Sequence, residues 1–505
     1  MNPTNDTIAQ LSKQYGLDPG NLSGALMKAG WTTASGLVNY DLEPLARILL
    51  ANPTPLRQAI PRVAGRNGDV AHRWKAILSL PSDVQSSPYV SEGQRSNAGA
   101  ATVQNFFAPY AVIQKETYLT FEAEEAATNF DDAKAKSRIV LLQDLFRAEE
   151  KQMLFGNYNT ALGQPVAPTV VPSTTSGGTI ATTTTQSVIV VPLTAEGKAN
   201  ATVSATGCVQ QYTRTNLDGT TDTINGGVGL ASTNTTQAMS TNNTLTCSTT
   251  PIPGAAGYAW YLGLAGSENL VAITTLASVV LTAPAGSTQA ASALIAKDFS
   301  FNDGGTSGTG TTIAAMNGAL SFAAGGLSLG SYQTALTGGA TLTSDGEGGI
   351  NEITAMFQSM WDNYRVGPTD LWVGSNVARK IRNLAASNGA GVGSAGSIIR
   401  INANAGEPVE FVAGMKMPSL FNIFLGNEVK IHIHPYMPDG MILATASSLP
   451  FVIDEDPNPL QVRVTRDYWQ IEWPLRTTRW ETAIRVRETM ENRFPPSLGL
   501  IYNIA

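Results

Sequence analysis

The sequence predicts an α+β fold interrupted by a β-rich insertion, and three observations carry that expectation. Charge is unevenly spread: residues 158–345 hold ten charged side chains in 188 residues, against 61 in the remaining 317. Two stretches with helical apolar spacing flank that region. Alternating apolar and polar runs then recur through the C-terminal third, as strands require.

Composition narrows the function. The chain has 505 residues, 43% hydrophobic and 14% charged, with a net charge of -7. That length corresponds to roughly three domains, and the charged fraction lies well below the usual level of about 25%. An acidic balance argues against a protein that binds nucleic acid by wholesale phosphate neutralisation. Two cysteines, Cys208 and Cys247, make neither a disulfide scaffold nor a zinc finger. No apolar run reaches the length of about 18 residues that a membrane helix needs. The opening residues show no secretory pattern, so a reducing cytoplasm with free thiols is the expectation.

Along the chain, Val70–Leu78 and Tyr110–Ala123 read as strands separated by a long polar stretch. A loop of that length inside a compact domain is uncommon unless functional. The two runs are expected to form a two-stranded arm, which cannot bury both faces alone. Asp131–Phe155 reads as a long helix with Ile139, Leu142, Leu145, Phe146 and Met153 on its apolar face. Gly156 and Asn157 supply its stop. Residues 158–345 follow, rich in Thr, Ser, Gly, Ala and Val. Low-complexity disorder is one reading; the abundance of β-branched residues favours a β domain. Gly-rich hinges at ALGQPVAP (161–168) and SDGEGG (344–349) bracket it. A second helix is expected from Ile350 to Tyr364, then a strand at Asp370–Val373. Next comes a helix from Ser375 carrying Val377, Ile381 and Leu384, with a Gly-rich loop at 386–397. Strands are expected at Glu428–Pro435, Gln461–Val464 and Thr482–Val486.

Chemistry is sparse. Of three histidines, His432 and His434 fall at i,i+2 on a strand and share a face. A zinc site needs further ligands, so a structural role is the expectation. GLSLG at Gly326–Gly330 places Ser328 in the letters of a nucleophile elbow. The helix that such an elbow needs does not follow. Asp454, Glu455 and Asp456 resemble a hard-cation cluster without the spacing of a calcium loop. Cys247 shares parity with Leu245 and is expected to face a core; a sandwich-bridging disulfide is the alternative. Residues 460–495 hold seven arginines among five acids and three tryptophans. Mixed charge with tryptophan fits a subunit contact, and Arg476, Arg479 and Trp480 are the candidate interface residues. Trp480 as an ordinary core residue is the alternative. No catalytic, cofactor or metal residues are assigned, and the chain is not expected to be an enzyme.

The order of these parts resembles the major capsid proteins of tailed bacteriophages, with the Hong Kong 97-like capsid fold. VNYDLEPLARILLANPTPLRQAIPRV (38–63) is similar to that family's N-terminal arm, and the stretch from Val70 to Ala123 to its extended loop. Asp131–Phe155 resembles the spine helix. PTDLWVGSNVARKI (368–381) and VKIHIHPYMPDGMILA (429–444) resemble the axial domain. TTRWETAIRVRETMENRFPPSLGLI (477–501) resembles the closing strands of the peripheral domain. The insertion segment TLTCSTTPIPGAAGYAWYLG (244–263) resembles an immunoglobulin- or fibronectin-like strand pair, with Tyr258 and Trp260 or Tyr261 in its core.

The resemblance implies six regions: an N-terminal arm (1–64), an extended loop with flanking strands (65–125), a spine helix (126–162), an Ig-like β-sandwich insertion (163–345), an axial domain (346–460) and peripheral strands with the tail (461–505). It implies an icosahedral head shell built from hexamers and pentamers, with the 366–450 segment around the symmetry axes and the insertion outside. Implied partners are further copies of the chain, a separate scaffolding protein, a portal, a decoration protein and packaged double-stranded DNA in weak non-specific contact; no membrane and no cofactor are implied. A protein nanocompartment of the same fold and a surface-displayed β-rich adhesin or hydrolase stand as alternatives. The stretch Ser79–Pro109 contains no lysine, so the isopeptide cross-link that some members make is not expected.

Overall fold

The computed structural model describes residues 53–66, 68–79, 89, 91–95, 102–127, 132–172, 177–216, 219–239, 243–308, 310–325, 331–345, 349–388, 419–449, 458–475 and 477–505. The chain forms two compact units, residues 1–51 with 122–134 and residues 52–121 with 135–505. In the first, residues 122–127 carry an acidic helical stretch, and Lys134 pairs with Glu124 at 3.0 Å.

A short helix α1 (Pro55–Ala59) begins with proline in its first turn, where the missing N–H costs nothing. Strands β1 (Arg62–Ala64), β2 (Ala71–Ser79), β3 (Thr102–Pro109) and β4 (Ala111–Thr120) follow. Helix α2 (Phe121–Ala127) then leads to the long helix α3 (Ala133–Phe155), about 34 Å long at 1.5 Å per residue. The arm differs from expectation. β2 pairs antiparallel with β3, while β4 joins the body by pairing with the strand Arg479–Asn492. The return strand thus lies inside the stretch read as loop. In TVQNFFAP, alternation sends Phe106 and Ala108 to a buried face and Val103 and Phe107 to an exposed one. A polar asparagine and glutamine hid that period.

The charge-poor region contains β5 (Thr169–Pro172), β6 (Thr185–Leu193), α4 (Ala195–Asn200), β7 (Gln211–Thr215), β8 (Thr221–Asn225), β9 (Thr235–Ala238), β10 (Leu245–Ser248), β11 (Gly257–Leu264), β12 (Ser267–Thr274) and β13 (Ser278–Leu281). Two sheets, β13-β10-β5 and β12-β11-β6-β9, enclose one core of Val170, Val188, Val190, Leu245, Cys247, Tyr258, Trp260 and Leu281. Tyr261 faces a second cluster with Cys208 on the outer side of the larger sheet. Trp260 buries its ring while its Nε1 donates to Thr274 Oγ1 at 2.8 Å, as a buried indole requires.

The sandwich is shorter than the charge-poor region. Helix α5 (Ala319–Ala323) sits in the host core with Met153 and Leu154. Strand β14 (Tyr332–Ala335) pairs in parallel with a strand near residue 500. Low charge marks burial as much as domain membership, so a charge count alone overran the boundary.

The host resumes with α6 (Asn351–Tyr364), β15 (Asp370–Val373), α7 (Ser375–Asn388), β16 (Ser419–Asn422), β17 (Asn427–Ile433), β18 (Ile442–Thr445), β19 (Leu460–Glu472), β20 (Arg479–Asn492) and β21 (Leu498–Tyr502). A six-stranded sheet runs β14-β21-β18-β15-β17-β16. Ile353, Met356, Phe357 and Met360 of α6 and Val377 and Ile381 of α7 pack with its Leu371, Val429, Ile442 and Ile501. A four-stranded sheet runs β1-β19-β20-β4. Leu141 and Leu145 of α3 pack on its Ile484. Ile139, expected inside, is 52% exposed, because α3 turns the Leu141–Leu145 face to the sheet. Asn503 is one link between sandwich and host: it accepts from Ala277 N at 2.8 Å and donates to Leu336 O at 2.6 Å. Its φ of 63° is a left-handed conformation that asparagine tolerates better than most residues.

Candidate assembly surfaces

The body is organised around buried charge. Glu149 and Glu150 of α3 are both fully buried. Glu150 accepts from the backbone N–H groups of Leu56 and Arg57 at 2.9 and 2.8 Å, and His434 Nε2 lies 2.6 Å away. Glu149 binds Arg57 Nε at 3.0 Å, together with Arg62 and the Tyr468 hydroxyl. Arg62 also reaches Glu488 at 2.9 Å. Burial, reinforced by the nearby Glu149 charge, pushes the Glu488 carboxyl up to about 8 against the opposing effect of Arg62. Burial pulls Glu491 the same way, but hydrogen bonding by His72 and Arg463 leaves it below its ordinary value. These carboxylates fasten α1, β1, α3, β19 and β20 to one another. Loss of one partner leaves an uncompensated buried charge, which costs about 3–5 kcal/mol.

Among the described residues, the two strands of the arm, β2 and β3, form a two-stranded sheet of their own. His72 at its base meets Glu491 at 2.6 Å. His72, Trp74 and Phe106 stack along one side at centroid distances of 5.7 and 5.8 Å. Val103 and Phe107 on the other side are 53% and 56% exposed. Phe107 meets the ring edge of Tyr158.

Of the residues singled out in the sequence, Arg476 lies outside the described residues. Arg479 pairs with Glu481 at 2.7 Å and lies 5.0 Å over the Tyr118 ring. Trp480 is half-buried against Phe121, centroids 5.4 Å apart. His432 is held by Asp370 at 2.8 Å and stacks on Trp372 at 4.6 Å; His434 belongs to the Glu150 network. Cys208 and Cys247 are both free and buried, and burial pushes the Cys247 thiol up to about 12. Ser328, the cluster Asp454, Glu455 and Asp456, and loop residues 389–397 lie outside the described residues. No helix among the described residues is long and apolar enough to cross a membrane.

The sequence reading missed the open face of the four-stranded sheet. Ile484 and Ile113 face α3, so alternation turns Arg485, Arg487 and Val112 to the other side. There Gly68, Tyr110, Val112, Thr465, Arg466, Trp469, Arg485 and Arg487 line a groove of about 620 Å³. Register shifts on both sides of Arg466 in β19 bend the strand as bulges do.

No family model and no curated protein matches the chain. Among solved structures it is similar to the capsid of a native GTA particle, at 10% identity over 95% of this chain and 100% of that one, with a TM-score of 0.44. It is similar to the capsid of Myoviridae phage XM1, at 9% identity over 94% and 99% of the two chains, with a TM-score of 0.40. It is also similar to the holo-SrpI encapsulin complex from Synechococcus elongatus PCC 7942, at 7% identity over 94% and 96%, with a TM-score of 0.38.

Proposed function

We propose that this chain is the major subunit of a phage-type icosahedral head shell that encloses double-stranded DNA. The observation that carries the reading is the arm. A two-stranded sheet that joins neither body sheet, and leaves Val103 and Phe107 exposed, needs an outside surface to be stable in water. A second copy of the chain is the surface that a repeating shell provides. The element order supports the same reading: arm, long helix, sandwich, six-stranded sheet, then the paired long strands β19 and β20. Seven strands in sheets of three and four around Trp260 support the Ig-like reading of the insertion.

In this reading the 366–450 segment surrounds the axes of hexamers and pentamers, and Arg476, Arg479 and Trp480 lie near a subunit contact. A separate scaffolding protein, a portal and a decoration protein are the expected partners. The location is the virion, after assembly in the host cytoplasm. Expressed protein imaged by negative stain should show closed shells of uniform diameter. A chain that stays monomeric at all concentrations, with its fold intact by circular dichroism, defeats the proposal. Shells that carry a protein cargo and no nuclease-protected DNA when isolated from their host point to a nanocompartment.

A further inference from the structure

The groove on the open face of the four-stranded sheet has an arrangement that the rest of the protein avoids. Arg466 on β19 stands directly opposite Arg487 on β20, and like charges facing each other across strands are destabilising. Arg485 lies two residues away on the same face. Elsewhere the chain answers its buried arginines with its own carboxylates: Arg57 and Arg62 with Glu149, Arg62 with Glu488, and Arg463 and Arg493 with Glu491. Among the described residues, Arg466, Arg485 and Arg487 form no ion pair with any carboxylate. Arg485 Nε is buried without a hydrogen-bond acceptor. Arg487 donates to the backbone oxygen of Asp69 at 3.0 Å.

The guanidinium groups are held in place. Arg466 lies 4.2 Å and Arg485 5.9 Å over the Trp469 ring, and Arg487 lies 5.8 Å over Tyr110. Such stacking fixes a planar fork of donors, the geometry that suits bidentate anion binding. The lining contains three arginines, no lysine, and Val112 as its one aliphatic side chain. A protein partner normally meets an apolar core within its interface. Nucleic-acid interfaces are polar and strongly positive.

We infer that this groove is a binding site for the phosphodiester backbone of nucleic acid. The inference rests on the shell reading for its ligand, the enclosed DNA, and names the residues that touch it. The three arginines contact phosphates and read no base, so binding is independent of sequence. A net charge of -7 works against DNA binding by the surface as a whole.

The test uses soluble full-length subunit and a short fluorescein-labelled DNA duplex, followed by anisotropy across a salt series. With three phosphates neutralised, the slope of log affinity against log salt is expected near about -2.7, falling to about -0.9 in Arg485→Ala/Arg487→Ala. The charge-conserving Arg485→Lys/Arg487→Lys should keep most of the slope. Arg214→Ala, which removes an arginine paired with Asp222 at 2.7 Å in the β7–β8 pair, should change nothing. Circular dichroism checks that each variant is folded. An unchanged slope in the double alanine variant overturns the inference. So does a glutamate-rich peptide that binds the groove while duplex DNA does not, which would assign the groove to an acidic protein segment. Imaging the same preparations separates the two readings. Shells with DNA binding unaffected by the variants sink the groove alone. Groove-dependent DNA binding without shells sinks the shell alone.

Discussion

Glu488 shares Arg62 with Glu149 inside the body, and its raised pKa has a definite sign for stability. The carboxyl moves from an ordinary value of 4.5 to about 8 on folding. The folded state therefore binds this proton more tightly than the unfolded chain. Its contribution is fully present below about pH 4.5, declines as pH rises and is gone above about pH 8. Glu491 acts oppositely: its lowered pKa contributes stability above its ordinary value that is lost as pH falls. Glu488→Gln should flatten the decline in melting temperature between about pH 5 and pH 8. Parallel slopes for the two proteins in a calorimetric pH series would remove Glu488 from this role. In the sequence, Glu149 and Glu150 look like part of a solvated helix face. Their partners Arg57, Arg62 and His434 lie 92, 87 and 284 residues away, and pairs so distant leave no local pattern. Cys247 was readable because its cue, parity with Leu245 along one strand, is local.

The sandwich is the element most open to removal, and the structure sets the cost. Ala256 of the sandwich lies in the host core, and Ala277 N gives its hydrogen bond to Asn503. Replacing residues 165–300 with a short Gly/Ser linker should leave shells intact but lower the melting temperature. The orphaned Asn503 acceptor alone corresponds to about 1–3 kcal/mol. Negative stain and a thermal melt read both effects, and folded subunits without shells would place the sandwich within the lattice. Elements with a strong period were legible: α6, β15 and β17 fall within a residue or two of their expected bounds, and α7 starts at the expected Ser375 but runs into the stretch read as loop. β3 was not, because its polar residues break the apolar count. The extent of β19 was not, because the register shifts around Arg466 interrupt its alternation.

At the scale of the whole molecule, cohesion between subunits is expected to be non-covalent. The one lysine of β4, Lys115, is held by Asp144 of α3 at 3.1 Å, and Ser79–Pro109 contains none. Arginine stays protonated and cannot replace an amine nucleophile. Boiled, reduced particles on a denaturing gel should give one band near 53.2 kDa; a ladder of multiples would show covalent links. The succession of long helix, β region and paired C-terminal strands was legible because each has a different texture: mixed-charge helix, charge-poor β region, arginine-rich strands. The open arginine face was not, since interleaved acids in the sequence suggested balanced charge. Alternation along β20 sends Glu488 inward and Arg485 and Arg487 outward, and the two signs separate only in three dimensions.

The position of β21 bears on how the chain folds as it is made. β21 lies between β14 and β18 in the six-stranded sheet, yet it follows every other described element in sequence. β14 begins at residue 332 and β21 at residue 498, a separation of 498 - 332 = 166 residues. At about 5–20 residues per second, roughly 8–33 s of translation separate the two strands. β14 waits through that whole interval and β18 (Ile442–Thr445) through the last part of it, with an unfilled gap between them until β21 is made. The newborn chain then carries two open strand edges, a template for wrong pairing. Neighbouring ribosomes on one message hold such chains close together, so a chaperone that shields strand edges until residue 502 emerges is where this fold most needs help.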